Sequence, residues 1–239
     1  MIEQLLLKQL ATKNQTTVKN VVREYFQCLF LSYFYQQKLS EKFFFKGGTA
    51  LKIVFRSPRF SEDLDFTASG TFDEFEDILQ ETLLKIDREG IKTIVLESKK
   101  TSGGFFSIIE TVIYKEKVEI RIQASKRKSK NIVGEKTVII NDFAPVFPLQ
   151  ILEKNDLFEE KIEALLDRRK LRDFFDLYFI LRMNVKLPII YKRSKDIIRI
   201  INSEKQDFSD LKIFLPHQYW PLIKDFKSVL LNEFKRHNF

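Results

Sequence analysis

The stretch Lys46–Phe66, KGGTALKIVFRSPRFSEDLDF, constrains the fold more than any other part of the chain. Gly47 and Gly48 lie side by side in a chain with only 7 glycines, and a glycine pair after an apolar run marks a tight turn. Further along, a single leucine separates Asp63 from Asp65. Because side chains alternate between the faces of a strand, both aspartates are expected on one face and their apolar neighbours on the other. The stretch therefore predicts a strand, a turn, a helix and a second strand that carries two carboxylates.

Helices and further strands are predicted around this stretch. Apolar residues recur at three- and four-residue steps over 17–38, and a shorter helix is expected over 2–10. Thr71, with Glu74 three residues later, has the form of a capping box and predicts a helix that ends near Gly90. Strands are then expected over 91–97, 105–114 and 117–123, the last two joined by a tight turn at Lys115–Glu116.

The composition changes near residue 150. Pro145 and Pro148 interrupt the strand-like pattern, and from about residue 155 apolar residues recur at helical spacing. We therefore predict a mixed α/β fold of the α+β class, with a core over residues 1–150 and a helical region over 151–239.

A third acidic residue, Glu119, lies in the strand predicted over 117–123, on the face opposite its apolar residues. If this strand neighbours the strand of Asp63 and Asp65, three carboxylates converge. Oxygen ligands of this kind suit Mg²⁺, which bridges protein carboxylates and substrate phosphates. Two such ions can stabilise an in-line displacement at phosphorus. The alternative is that two aspartates on a strand form only a solvated face.

Basic residues near the glycine pair suit the phosphates of a nucleotide. The backbone N–H groups of the two glycines can approach a phosphate at the start of the following helix. Lys46, Arg56 and Arg59 can neutralise a triphosphate, which arginine binds through a fixed fork of donors. Ser61 has two interpretations: a contact with phosphate, or a cap of the turn before the second strand.

The charge of the chain favours polyanionic partners. The formal net charge is +8 and the sequence pI about 9.3, which suits RNA, DNA and nucleotides but is also found in other basic proteins. The basic segment 125–136 is either a solvated loop or a contact with a nucleic-acid backbone. The one cysteine, Cys28, excludes disulfides and cysteine clusters within the chain. With no signal-peptide pattern and no run of about 18 apolar residues, we expect a cytoplasmic protein with no membrane span.

Two sequence blocks together resemble a known family. KGGTAL and RFSEDLDF are similar to the nucleotidyltransferase family of the AbiEii/AbiGii abortive-infection toxins, in the DNA polymerase β-like nucleotidyltransferase superfamily. A second block, residues 160–176, resembles that family's helical signature, a lysine followed by R-x-x-[KR]-D-x-x-D. The resemblance covers roughly residues 20–182. It implies a nucleotidyltransferase-fold core followed by a helical C-terminal region.

The resemblance also assigns roles to individual residues. Lys161 would contact nucleotide phosphates, and Asp173 would hold a basic neighbour or orient the acceptor. Thr49 stands where many superfamily members have serine. The predicted catalytic residues are Asp63, Asp65, Lys161 and Asp173, and the predicted metal ligands are Asp63, Asp65 and Glu119. The predicted nucleotide-binding residues are Lys46, Gly47, Gly48, Thr49, Arg59, Ser61, Arg172 and Asp176. Taken alone, the second block is equally a salt-bridged helix face, with pairs such as Arg169 and Asp173 worth about 0.2–0.5 kcal/mol each.

The function that the resemblance implies is that of a toxin in a toxin–antitoxin system. Such a protein would use Mg²⁺ or Mn²⁺ to transfer a nucleotidyl group from an NTP to an acceptor, with tRNA the first choice, and would release pyrophosphate. A cognate antitoxin is an expected partner. Two other classes stay open: a nucleotide- or RNA-binding protein of the same fold without catalysis, and a phosphotransferase that acts on a protein or a small molecule.

Overall fold

Residues 1–127 and 132–237 are described by the computed structural model. The chain forms two units. The N-terminal unit comprises Met1–Arg56 and Phe60–Glu153. The C-terminal unit comprises Lys154–Phe239 together with Ser57–Arg59, a short segment that precedes Asp63 in the sequence.

The strands of the N-terminal unit form one mixed sheet, and the combination of this sheet with helices confirms the predicted fold class. The strands are β1 (Phe43–Lys46), β2 (Leu64–Ala68), β3 (Thr93–Thr101), β4 (Gly104–Ile113), β5 (Glu116–Ser125), β6 (Gly134–Ile139) and β7 (Phe147–Leu152). Their order in the sheet is β3-β4-β5-β2-β1-β7-β6. The β2 strand runs antiparallel to β1 and parallel to β5. The strand that carries Asp65 therefore lies at the centre of the sheet, with a neighbour on each side.

No strand is predicted from the sequence at β6 or β7. The first of these begins inside the basic segment 125–136, of which residues 128–131 lie outside the described part of the chain. The second contains Pro148, which pairs with Val138 of β6. Because β1 pairs with β7 only at Phe45↔Ile151, the missing N–H of Pro148 interrupts no bond to β1.

Helices cover one face of this sheet. They are α1 (Gln4–Lys13), α2 (Val18–Phe34), α3 (Gly47–Ile53) and α4 (Phe72–Arg88). The predicted capping box at the start of α4 is present, since Glu74 N–H donates to the hydroxyl of Thr71 at 3.2 Å and Thr71 N–H donates to the Glu74 carboxylate at 2.8 Å. Between the helices and the sheet lies a cluster of buried phenylalanine rings: Phe34, Phe43, Phe66, Phe75 and Phe105. Because Phe66 points into this cluster, its neighbour Asp65 lies on the opposite face.

The C-terminal unit is helical. Its helices are α5 (Lys154–Arg168), α6 (Leu171–Arg182), α7 (Pro188–Ser203), α8 (Trp220–Ile223) and α9 (Phe226–Arg236). A second ring cluster, Phe174, Phe175, Phe208 and Phe226, forms its core. The second sequence block, residues 160–176, spans two helices, because Arg169 has a left-handed φ of +52° and separates α5 from α6. Within the described residues, none of the helices is long and apolar enough to cross a membrane.

Candidate active site

The glycine pair joins β1 to α3, and a close contact requires glycine at its first position. The φ of Gly47 is +83°, in the left-handed region that favours glycine. A Cβ on this residue would lie 2.1 Å from Oδ2 of Asp65. The carboxylate of Asp65 therefore lies directly against the backbone at position 47, and the two ends of the Lys46–Phe66 stretch meet in space.

Burial along the aspartate-bearing segment alternates as predicted. Leu64 and Phe66 are buried, whereas Asp63 and Asp65 are half-buried. Asp63 immediately precedes β2, and the hydroxyl of Thr49 donates to its carbonyl oxygen. Thr49 is itself fully buried. The Thr49 side chain thus holds the backbone of Asp63, and its expected contact with phosphate stays a prediction.

Asp65 belongs to a row of side chains that crosses the sheet. The register pairs it with Lys46 of β1 and with Gln123 of β5, and it pairs Gln123 with Phe106 of β4. All four residues line a cavity of about 380 Å³, whose lining also includes Gly103 of the β3–β4 turn and Gly104 at the start of β4. Beside the carboxylate, this cavity offers a cation, a neutral amide and an aromatic ring.

Asp63 lines a different cavity, of about 300 Å³, next to the part of β5 that extends past the start of β2. Arg23 pairs with Glu62 at 3.0 Å, and Arg121 lies 3.9 Å from Asp63. The whole lining is charged: Lys19, Arg23, Lys117 and Arg121 are its cations, and Glu62, Asp63 and Glu119 are its acids.

The position of Glu119 is only partly the one expected for a third metal ligand. β2 and β5 are neighbours, and Glu119 shares a cavity with Asp63. Asp65, however, pairs with Gln123, which is four residues further along β5, or roughly 13 Å at about 3.3 Å per residue. In residues 1–127 and 132–237, no group of three or more His, Cys, Asp or Glu side chains is arranged to hold a metal ion. Glu119 as a ligand stays a prediction.

The donor chemistry of Asp63 and Asp65 nevertheless fits a hard divalent cation. Mg²⁺ usually binds one or two protein carboxylates and completes its coordination with waters and substrate phosphates. This chain supplies two carboxylates, from Asp63 and Asp65, and the strand register places Gln123 opposite Asp65. A cage of three carboxylates is therefore not required for such an ion to bind.

Three other predicted site residues form a buried ion cluster in the C-terminal unit. Asp176 accepts two hydrogen bonds from Arg59, Nε to Oδ1 at 2.8 Å and Nη2 to Oδ2 at 3.0 Å, and Nζ of Lys161 lies 2.9 Å from Oδ2. The side chains of Arg59 and Asp176 are 3% and 0% exposed. Burial raises the pKa of Asp176, but the charges and hydrogen bonds of Arg59 and Lys161 outweigh burial and hold this pKa below its ordinary value. Arg59, which we expected to neutralise phosphate, is thus committed to a carboxylate.

Asp173 holds a basic neighbour, which was one of its two expected roles. It accepts bonds from Nε and Nη2 of Arg168 at 3.0 and 2.7 Å, and from the backbone N–H of Lys170 at 3.1 Å. The partner is Arg168 rather than the expected Arg169, because the break between α5 and α6 removes the helical i,i+4 geometry. Arg172 lies half-buried in the first turn of α6.

Two remaining candidates lie apart from the Asp65 cavity lining. Ser61 is half-buried, and its carbonyl oxygen accepts from Nε2 of Gln27 at 3.0 Å. Arg56 is exposed, has a φ of +63°, and donates to the carbonyl of Ile140 at 2.6 Å.

Several residues that line the two cavities are not among those predicted from the sequence. Gln123 carries no charge and gives no signal of its own. Lys117 and Arg121 flank Glu119 at two-residue steps, so the alternation that singled out Glu119 places all three side chains on one face. Lys19 and Arg23 are four residues apart in α2 and therefore share a helix face, but nothing local links that face to Asp63.

A glycine turn against a strand aspartate, with a second aspartate two residues earlier, is the arrangement that the resemblance to nucleotidyltransferases predicts. The fold is similar to that of MenT4, a nucleotidyltransferase toxin from Mycobacterium tuberculosis, with a TM-score of 0.62 and 14% identity over 97% of this chain and 90% of MenT4. It is also similar to JHP933 from Helicobacter pylori, with a TM-score of 0.58 and 16% identity over 93% and 96% of the two chains. At these identities the likeness is one of fold alone. No curated protein matches the chain.

The sequence matches the family described as nucleotidyl transferase AbiEii toxin, type IV toxin–antitoxin system, over residues 29–238. The chain belongs to this family, and the match confirms the resemblance carried by its two sequence blocks. The protein is a nucleotidyltransferase toxin, with an NTP as substrate and an antitoxin as partner.

Proposed function

We propose that the protein transfers a nucleotidyl group from an NTP to tRNA in the cytoplasm, with Mg²⁺ held by Asp63 and Asp65. One observation carries this proposal: the carboxylate of Asp65 lies against the backbone of Gly47, beside Lys46 of the neighbouring strand. A triphosphate that approaches this glycine meets a cation and a metal-binding carboxylate at once. The net charge of +8 supports RNA rather than a neutral acceptor.

The NTP would occupy the cavity of about 380 Å³ around Asp65. Lys46 would neutralise phosphate charge, Phe106 offers a ring on which a base can stack, and Gln123 can hydrogen-bond to the sugar or base. A divalent cation bound by Asp63 and Asp65 would neutralise the negative charge that develops on the phosphates.

The reaction balances without a covalent enzyme intermediate. A hydroxyl oxygen of the acceptor forms a bond to the α-phosphorus of the NTP, the bond between that phosphorus and the bridging oxygen of the β-phosphate breaks, and pyrophosphate leaves with the electron pair. The hydroxyl proton is released to solvent. The protein contributes chiefly by orienting the two substrates and stabilising charge. The catalytic roles of Lys161 and Asp173 remain predictions, and substitution by Gln and Asn tests them.

In the decisive experiment, the protein is incubated with Mg²⁺, total tRNA and each NTP in turn. Each NTP is radiolabelled either on its α-phosphate or on its γ-phosphate, and the product that receives the label is identified. We expect label to enter tRNA from the α-phosphate alone. Transfer of only the γ-phosphate to protein or a small molecule would identify a phosphotransferase, and no transfer from either position would identify a binding protein. EDTA should abolish transfer, and excess Mg²⁺ or Mn²⁺ should restore it.

Substitution of the metal-binding pair supplies the matched test of the site. Asp63→Asn and Asp65→Asn each remove one carboxylate from the centre, and we expect at least about a 100-fold loss of transfer. Asp77→Asn, at an exposed position of α4, removes the same charge elsewhere and should leave transfer unchanged. If Asp63→Asn and Asp65→Asn retain full activity in folded protein, the proposed metal site is wrong.

A further inference from the structure

We propose that the charged cavity beside Asp63 binds the phosphate backbone of the acceptor RNA through Lys19, Arg23, Lys117 and Arg121. This inference rests on the transfer to RNA proposed above, and it assigns one substrate to each side of the aspartate pair. The NTP lies on the Asp65 side, and the acceptor lies on the Asp63 side.

The two cavities differ in the chemistry of their linings. The Asp65 cavity contains an aromatic ring, an amide and glycine backbone, which are groups that recognise a nucleoside as well as a phosphate. Every side chain that lines the Asp63 cavity is charged, and cations outnumber acids by four to three. Among the described residues, this lining has no aromatic ring on which a base can stack, whereas it offers several donors to phosphate oxygens. It therefore suits a backbone that is held without regard to its bases.

The cations come as two pairs from two elements. Lys19 and Arg23 share one face of α2, and Lys117 and Arg121 share one face of β5. A strand of RNA presents its phosphates in series, so cations on two neighbouring elements can contact successive phosphates. A single small anion would need only one pair.

Two of the cations at this cavity, Lys117 and Arg121, have exposed side chains, so a phosphate can reach them and displace their ion-pair partners. Lys117 pairs with Glu110 at 2.7 Å with its side chain 59% exposed, and the exposed Arg121 lies 3.9 Å from Asp63. Exposed ion pairs contribute little to stability. A phosphate oxygen accepts bidentate bonds from arginine and can replace such a pair.

The position of the cavity favours RNA over an acidic protein. The acceptor hydroxyl must lie next to Asp63 and Asp65 to attack the α-phosphorus of the NTP, and in RNA a phosphodiester neighbours that hydroxyl. Arg121, which lies 3.9 Å from Asp63, and the other cations of the same cavity are where this phosphodiester would be held. A glutamate-rich protein surface has no equivalent need to reach Asp63.

The test compares two double variants that remove the same charges. Lys117→Gln/Arg121→Gln changes the cavity, and Lys8→Gln/Arg88→Gln changes exposed residues of α1 and α4. Binding of fluorescein-labelled bulk tRNA is followed by anisotropy in EDTA at several KCl concentrations. We expect the cavity variant to raise the Kd for tRNA roughly tenfold more than the control does. The negative slope of log K against log salt should become shallower by about 0.7 for each lost phosphate contact. The apparent KM for NTP and the melting temperature should not change.

Each other outcome has a defined meaning. If wild type labels tRNA but the cavity variant binds tRNA as tightly as the control variant, this inference is overturned and the proposed function stands. A rise in the KM for NTP with unchanged tRNA affinity overturns it as well. If poly-glutamate competes as strongly as tRNA at equal charge, the cavity is a protein-binding surface. If wild type labels no RNA while the cavity variant still loses tRNA affinity, the transfer reaction is wrong and the RNA-binding assignment holds.

Discussion

Substitution of Asp176 by asparagine should destabilise the C-terminal unit severely without altering its shape. The carboxylate joins Arg59 and Lys161 through three contacts of 2.8 to 3.0 Å. Asparagine keeps the volume of the side chain but removes the negative charge and turns an N–H₂ group toward two cations. Arg59 and Lys161 would then remain buried without this anion.

The magnitude follows from burial. The three side chains are 0%, 3% and 11% exposed, so solvent screens the cluster weakly. Breaking a buried ion pair by removing one partner costs about 3–5 kcal/mol. For a unit of about 90 residues, at about 4–8 °C per kcal/mol, this corresponds to a fall in melting temperature of more than roughly 10 °C.

Asp196 offers a matched control in the same unit. It also joins two arginines, Arg193 at 2.8 Å and Arg199 at 2.9 Å, but it is 37% exposed and both partners are exposed further. Asp196→Asn should therefore lower the free energy of unfolding far less than Asp176→Asn does, because solvent screens an exposed ion pair. Urea denaturation followed by circular dichroism measures both free energies of unfolding. Equal losses for Asp176→Asn and Asp196→Asn would refute the reasoning from burial.

The same cluster gives a pH dependence of known sign. The pKa of Asp176 is lower in the folded chain than in the unfolded one, so its stabilisation is complete above the ordinary aspartate pKa of about 3.9. This stabilisation is lost as pH falls through the folded-state value. The difference in unfolding free energy between wild type and Asp176→Asn should be constant from about pH 5 to pH 8 and should shrink below about pH 4. A difference that grows as pH falls would contradict the assignment.

Two further substitutions test the geometry around the aspartates. Gly47→Ala and Gly90→Ala both place alanine at a φ of +83°, which costs about 1–2 kcal/mol. The added Cβ meets nothing within 4 Å at Gly90, whereas at Gly47 it meets the carboxylate of Asp65. Only Gly47→Ala should therefore lose transfer, by about 100-fold, in the assay with α-labelled NTP. Thr49→Val keeps the side-chain shape but removes the bond to the Asp63 carbonyl, so it should cost about 1–3 kcal/mol in urea denaturation, and an unchanged stability would show that this bond does not position Asp63.

The parts of the fold that could be predicted are those with local causes. The strand–turn–helix around Gly47 and the capped helix after Thr71 each have their signals within a few residues. The break at Arg169 has no such signal, because it needs a left-handed φ at an arginine, which sequence patterns do not favour. The edge strand β6 is mostly exposed and carries charged side chains, so its apolar periodicity is weak and its existence depends on pairing with β7.

The candidate site, like the fold, has parts that could be predicted from local sequence and parts that could not. Alternation correctly predicts that Asp63 and Asp65 lie on the face opposite Leu64 and Phe66, because it depends only on neighbouring positions of one strand. The pairing of Asp65 with Gln123 depends on the register between strands that are distant in sequence. The partner of Arg59 is 117 positions away, and a pattern of charges cannot reveal whether an arginine near two aspartates faces a ligand or a carboxylate.

Burial is what separates residues that a motif groups together. Arg59 and Asp63 are four positions apart, yet the first is locked into a buried ion cluster and the second lines an open, charged cavity. Substitution of either residue would lower the signal of a transfer assay, so this assay alone does not distinguish a structural role from a catalytic one. Arg59→Gln should lower the free energy of unfolding by several kcal/mol, whereas Asp63→Asn should leave it nearly unchanged and act on turnover. A stability measurement beside each kinetic one is therefore necessary before any residue of the two sequence blocks is assigned to catalysis.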